Sequence, residues 1–384
     1  MLSAINERGE LISIVNIEDK SLLNQAFFCP ACKERVIVKT GSNRMWHFAH
    51  YHNSNCTASE PESEYHLLGK KLLYEWLNAQ NKTVIMEKYF SNIEQRADLY
   101  ADRPIEFQCS TISDGLFYER TKNYCKIGEK PIWILGGNRL MRVGVNLFRL
   151  KRMDWLALHE AKDDAYQTFL LYYCPKKDNF AYLANITPVS STKVAANIHY
   201  VARNQLNYDA LFKLDPSLQN SIDPKLWQKV KTNWRVYPNR RKQRAFYYIN
   251  RMLLQINRSL PLFPSEAGMP TKYSFWIETP PYLWQTWMLL QFVFPPSNRT
   301  EFQFHEVYSQ FQSLVQRKIF NVRKLPLLDN SHYSFALMEY LHCLCELGIL
   351  AKTKKNTFAI KKNIELPHTL EEAMKMDEDL HRNR

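Results

Sequence analysis

The sequence predicts an α/β N-terminal half followed by a mainly α-helical C-terminal domain. Three observations predict it. Cys, His and aromatic residues crowd into residues 27–56, the composition of a small metal-bound module. Hydrophobic periodicity then runs α-β-β-β-α-β between Glu62 and Leu135. From about Ser190 the pattern turns helical and aromatic, and prolines break it near 261–270 and 279–281. These shifts set expected units at 1–57, 58–187 and 188–384.

Each element has its own signal. Weak alternation over Gly9–Ile17 predicts a strand. Residues 57–63 read as a loop, with Pro61 near the first turn of a helix over Glu62–Ala79. Strand-like runs follow at Thr83–Phe90, Arg96–Ala101 and Pro104–Ser110. A helix is expected from about Ile112 to Lys126, then a buried strand at Ile132–Leu135 closed by Gly136 and Gly137. Residues 140–187 hold further strands, among them Phe169–Tyr173 and Phe180–Ile186. The helical pattern at Phe275–Phe294 reads as core, as do His342, Cys343 and Cys345. The tail from Glu365 carries six acids and is expected to be exposed.

Bulk properties narrow the function. The net charge is +13 and the pI about 9.2, which favours an anionic partner such as nucleic acid. No stretch approaches the ~18 apolar residues of a membrane span, and the polar N-terminus is not a signal peptide. Eight Cys, with one Cys-x-x-Cys pair, suit a reducing cytoplasm and one metal site better than a disulfide framework. A cytoplasmic location is therefore expected.

The metal signal is Cys29-Pro30-Ala31-Cys32, followed after fourteen residues by His47-Phe48-Ala49-His50. Two Cys on a knuckle with two distant His or Cys suit tetrahedral Zn²⁺ in a structural role. The expected ligands are Cys29, Cys32, His47 and His50, with His52 or Cys56 as substitutes.

A second signal involves acids. On the helix after Pro61, Glu62, His66 and Lys70 occupy one arc with Ser63, beside an apolar stripe of Tyr65, Leu68, Leu72 and Trp76. This favours Glu62 over Glu64 as the functional acid. Asp98 lies in the next strand pair, and Glu106, Gln108 and Ser110 share one face of their strand. Carboxylates on neighbouring strands can share Mg²⁺ or Mn²⁺, which prefer oxygen ligands. Arg120 and Tyr124, one turn apart, are candidates to hold a phosphate. Residues 231–258 contain eight Lys or Arg and no acid, interleaved with aromatics, a pattern suited to single-stranded nucleic acid. Arg235, Arg240, Arg241, Lys242 and Arg244 are its candidate contacts.

Taken in order, Cys29–Cys32, Trp46–His50, Glu62-Ser63, His66, Lys70, Arg96-Ala97-Asp98 and Ile105–Ser110 resemble the competence protein CoiA family. The likeness continues through Phe117, Arg120, Tyr124 and Trp133–Leu135. The resemblance implies a restriction-endonuclease-like, PD-(D/E)xK nuclease-like core and a part in natural transformation, acting on internalised DNA during recombination. Carried over by residue, Asp98 is the motif Asp and Glu106 the motif acid. Gln108 stands where the common nuclease pattern has Lys. Two expectations follow. In one, the chain is a Mg²⁺- or Mn²⁺-dependent DNA endonuclease. Glu62, Asp98 and Glu106 hold the metal, Gln108 and Lys70 orient water or stabilise charge, and His66 assists proton transfer. In the other, a nuclease fold binds DNA without cutting it, as a recombination mediator. The expected partners are single-stranded DNA or a recombination intermediate, and recombination proteins.

Overall fold

The computed structural model describes residues 1–17, 19–41, 45–51, 56, 62–162, 167–219, 222–238, 243–294, 300–329 and 331–382. His52, Arg240, Arg241 and Lys242 lie outside these described residues.

The chain opens with a small antiparallel sheet whose five strands lie between Ser3 and Ala49. Only Leu11–Ser13 of the expected 9–17 strand is extended, and a tight turn follows at Ile14–Asn16. Phe27 and Phe48 pack at the centre of this sheet, with ring centroids 4.9 Å apart.

Helix α1 (Glu64–Asn78) starts at Ser63, whose side chain accepts a hydrogen bond from the His66 amide. It buries Leu67, Gly69, Lys70, Leu73, Trp76 and Leu77. This arc is rotated from the expected stripe, because the helix is gripped between the large sheet and the N-terminal sheet.

The large sheet has ten strands. Six form its body: β1 (Leu99–Ala101), β2 (Arg103–Gln108), β3 (Ile132–Gly136), β4 (Thr168–Cys174), β5 (Asn179–Pro188) and β6 (Lys193–Ala202). They lie side by side in chain order. The β2–β3 and β3–β4 pairs are parallel and the others antiparallel. Helix α2 (Asp114–Lys126) makes the crossover from β2 to β3. Both faces of β3 are covered, so Ile132, Trp133, Ile134 and Leu135 are all sealed, as a central parallel strand requires. Trp133 stacks on Phe117 of α2, with centroids 4.0 Å apart, and donates to Thr121 Oγ1. On the other face, α1 approaches β2 so closely that a Cβ on Gly69 would lie 2.0 Å from Phe107.

Three sequence expectations need correcting. The run Thr83–Phe90 is not one strand. Glu87 adopts φ +55°, which ends the edge strand Ile85–Met86, and Tyr89–Phe90 pairs separately with Gln95–Arg96. Residues 193–202, expected in the helical part, are strand β6, because β5 turns back on itself and its apolar residues continue the sheet. The acidic tail is not free. Helix α3 (Pro224–Val236) and helix α4 (Arg244–Leu254) precede it, and the last helix, α5 (Leu370–Arg382), docks on α3 through the buried Asp377. The C-terminal part is otherwise helical around Trp227, Trp284, Trp287 and Tyr340, with a three-stranded sheet at Glu301–Gln303, Leu350–Lys354 and Thr357–Ile360.

Candidate metal clusters and the acidic cleft

The first cluster lies in the N-terminal sheet. Cys29, Cys32, His50 and Cys56 each turn a ligand atom inward, all within 4.8 Å of one another. Cys29 Sγ is 3.9 Å from Cys56 Sγ, and Cys32 Sγ is 3.4 Å from His50 Nε2. A tetrahedron with Zn–S near 2.3 Å and Zn–N near 2.05 Å has S···S edges of about 3.8 Å and S···N edges of about 3.6 Å. The donor set therefore fits a four-coordinate thiolate-rich metal site. The fourth ligand position falls to Cys56, not His47. His47 begins the strand His47–Ala49, and residues three apart in extended chain point to opposite faces. Its Nδ1 donates instead to the Met45 carbonyl at 2.8 Å.

The second cluster lies on the floor of a cleft of about 560 Å³ at the ends of β2 and β3. Glu62, His66 and Asp98 bring ligand atoms within 4.8 Å of one another. His66 Nε2 is 3.2 Å from Asp98 Oδ2, and its Nδ1 is 3.6 Å from Glu62 Oε1. Asp98 Oδ2 also accepts the Phe107 amide at 2.9 Å, which ties the carboxylate to β2.

Lys70 does not enter the cleft. It is fully buried beneath the acids, 2.5 Å from Glu62 Oε1, 3.5 Å from Asp98 Oδ1 and in contact with Glu87. Burial pushes each acid toward neutrality, but the charges around them outweigh it. The Lys70 ammonium holds Glu62 well below the usual carboxylate range. His66 and Lys70 do the same for Asp98. Glu87 is brought down to about 2, with burial opposed by Lys70 and Arg96. Sequence reading missed Glu87. The available signal was an acid inside an apolar run, Val84-Ile85-Met86-Glu87. Glu87 also accepts the amides of Leu2 and Ser3 at 2.8 and 3.1 Å, binding the N-terminal sheet to the cleft.

Glu106 stands apart from the Glu62–Asp98 pair. Along β2, Phe107 faces α1, so Glu106 faces α2. There it accepts Arg120 Nη2 and Tyr124 Oη, each at 2.6 Å. Burial raises its carboxyl to about 7 against the opposing pull of Arg120. The expected three-carboxylate set is thus two carboxylates and an imidazole. Tyr124 is completely buried, so it cannot stack on a base. Arg120 still lines the cleft, with Gln108, Ser110, Asn123 and Asn138. The Gln108 amide donates to the Ser110 carbonyl and hydroxyl at 3.0 and 3.1 Å.

Of the basic segment, Arg235 is not a surface residue. Its guanidinium is buried and doubly bonded to Asp377, at 2.6 and 2.8 Å, because α3 turns that face to α5. Arg244 is exposed at the start of α4.

Three family models match successive parts of the chain between residues 13 and 374. The competence protein CoiA N-terminal domain matches residues 13–59, its nuclease-like domain 62–216 and its C-terminal domain 222–374. The chain belongs to the competence protein CoiA family. Competence protein CoiA of Bacillus subtilis (strain 168) is 28% identical over 368 residues, spanning 94% of this chain and 96% of that relative. The nuclease-like match begins at Glu62 and includes every strand of the large sheet through β6. Membership in this CoiA family supports a role in competence. Among the described residues, no helix is long and apolar enough to cross a membrane.

Proposed function

We propose that the chain is a Mg²⁺- or Mn²⁺-dependent DNA nuclease that acts on internalised, single-stranded or recombination-intermediate DNA during transformation. The observation that carries this reading is the Glu62–His66–Asp98 cluster on the floor of a cleft also lined by Arg120. Two ionised carboxylates and an imidazole form a donor set that suits Mn²⁺ or Mg²⁺. A divalent ion held there would supply Lewis acidity toward a phosphodiester oxygen and toward water.

The chain's own residues have separate tasks. Lys70 keeps Glu62 and Asp98 ionised at neutral pH while staying out of the solvent. His66 would complete the donor set with Glu62 and Asp98. Arg120, anchored on Glu106, offers positive charge to a phosphate, and Gln108, Ser110 and Asn138 line its path. Zn²⁺ in the Cys29–Cys32–His50–Cys56 cluster is structural, holding the N-terminal sheet against this site. The chain works as three units: this metal module, the nuclease-like sheet through β6, and a helical part for DNA or recombination proteins. Arg244 belongs to that last surface.

One observation favours the second reading, a DNA-binding mediator that does not cut. Gln108 stands where a catalytic lysine is expected, and its amide is engaged by Ser110. The test uses single-stranded, duplex and branched DNA with Mn²⁺ or Mg²⁺, comparing the wild type with Asp98→Asn and Glu62→Gln. Cleavage by the wild type alone supports the nuclease. Binding without cleavage, equal in all three proteins, moves the conclusion to the mediator.

A further inference from the structure

A second cavity, of about 280 Å³, lies at the other end of the large sheet. The acidic cleft is walled by Phe107 and Gln108 at the C-terminal end of β2 and by Asn138 just past the end of β3. The second cavity meets Thr168, where β4 begins, and residues 184–187, where β5 ends. Because Tyr173 of β4 pairs with Gly136 at the cleft end of β3, the run from Thr168 to Tyr173 puts roughly 17 Å between the two sites.

Three local features open this cavity. Ala184 pairs with Asn197 and Thr187 with Ala195, so β5 carries one extra residue there. Such a bulge re-aims side chains, and Asn185 within it takes φ +52°. Opposite, Tyr273 is held at φ +33°, a conformation that costs an aromatic residue energy and that cavities in binding proteins often retain. Beside it, the Thr271 hydroxyl is buried in the wall with no hydrogen-bond partner among the described residues.

The lining has a distinct chemistry. Among the described residues, no Asp or Glu lines the cavity, unlike the cleft with its four acids. Among the described residues, Lys272, which is exposed, is its one charged lining residue. Thr168, Thr187 and Thr271 supply hydroxyls, Gln167 a carboxamide, and Phe275 with Tyr273 an aromatic wall. Two aromatic rings with centroids 6.2 Å apart and tilted by 51°, several hydrogen-bonding side chains and an exposed cation match a heteroaromatic ring carrying an anion.

We propose that this cavity binds one nucleotide unit, the base inside against Phe275 and Tyr273 and the phosphate on Lys272. The ligand is either a free mononucleotide or an unpaired nucleotide of single-stranded DNA, and the site operates without the chemistry of the acidic cleft.

The experiment titrates the full chain, without added Mg²⁺ or Mn²⁺, with dAMP, dTMP, a single-stranded oligonucleotide and inorganic phosphate. The wild type is compared with Lys272→Ala and Thr271→Val, each checked for an unchanged thermal melt. Lys272→Ala weakens nucleotide binding tenfold or more, and Thr271→Val weakens it about fivefold, the worth of one hydrogen bond. Inorganic phosphate competes poorly. Mononucleotides binding as well as the oligonucleotide identifies the free ligand. Oligonucleotide binding alone, still dependent on Lys272, identifies the strand. Binding that ignores both substitutions, no binding at all, or equal competition by phosphate overturns the proposal. Asp98→Asn is carried in parallel. It leaves this binding unchanged while removing cleavage, so either reading can fail without the other.

Discussion

Lys70 and Glu87 form an ion pair that is wholly sealed from solvent, one partner from α1 and the other from a left-handed residue at the sheet edge. The pair sits under the cleft and reaches the N-terminal sheet through the amides of Leu2 and Ser3. Removing one partner leaves the other charge buried with too few contacts. Glu87→Leu is expected to cost about 3 kcal/mol of stability, and the double change Lys70→Met with Glu87→Leu less than the sum of the two singles. Urea unfolding of the four proteins measures this. Strict additivity would show that the pair has no coupling.

The thiolate cluster makes a ligand-by-ligand prediction. Cys56→Ser and His50→Ala lose bound zinc and the folding of the N-terminal sheet, whereas His47→Ala keeps a full complement. Native mass spectrometry with metal analysis reads the content directly. Zinc retained in Cys56→Ser but lost in His47→Ala would restore His47 as the ligand.

Glu106 predicts a slope in stability with pH. Its folded value, about 7, lies above the ordinary carboxylate value of 4.5 because burial outweighs Arg120. Between these two values the folded chain binds more protons than the unfolded one. The stabilisation from this group is therefore full below about pH 4.5 and falls as pH rises to about 7, by up to about 1.4 kcal/mol per pH unit. Glu106→Gln flattens that part of the profile. Unfolding midpoints at pH 5 and pH 7.5 test it, and an unchanged slope in the variant would sink the assignment.

Gly69 is the point where α1 touches β2. A methyl there meets the Phe107 ring at 2.0 Å. Gly69→Ala is expected to destabilise the fold by about 1–3 kcal/mol, despite the ~1 kcal/mol that alanine adds inside a helix. Adding Phe107→Leu recovers part of the loss. A Gly69→Ala protein as stable as the wild type would refute the close approach.

The residues that the sequence made legible are those governed by periodicity. His66 lies on α1, Glu62 just before its cap Ser63 rather than within the expected helix, and Asp98 just before β1, so the expected helix and strand put all three close to their places in the cleft. The central strands of the sheet could be read from their apolar runs. What stayed hidden depends on which face meets which neighbour. Alternation put Glu106 with Gln108 on one face, but only the packing of α2 shows that this face meets Arg120 and Tyr124. Glu87 looked like part of a strand until its positive φ broke the strand. Arg235 looked like a surface cation because its partner, Asp377, lies far along the chain.

That last separation bears on how the protein is made. Arg235 and Lys231 are buried on α3, and both rely on Asp377, which comes 142 residues after Arg235. At ~5–20 residues per second, about ten seconds of synthesis pass before the counter-charge exists. During that interval α3 holds two cations in a pocket with no acid from α5 to answer them. The C-terminal half cannot satisfy these two cations until α5 has been made, whereas the ion pairs of Lys70 beneath the cleft join residues that all lie between Glu62 and Asp98.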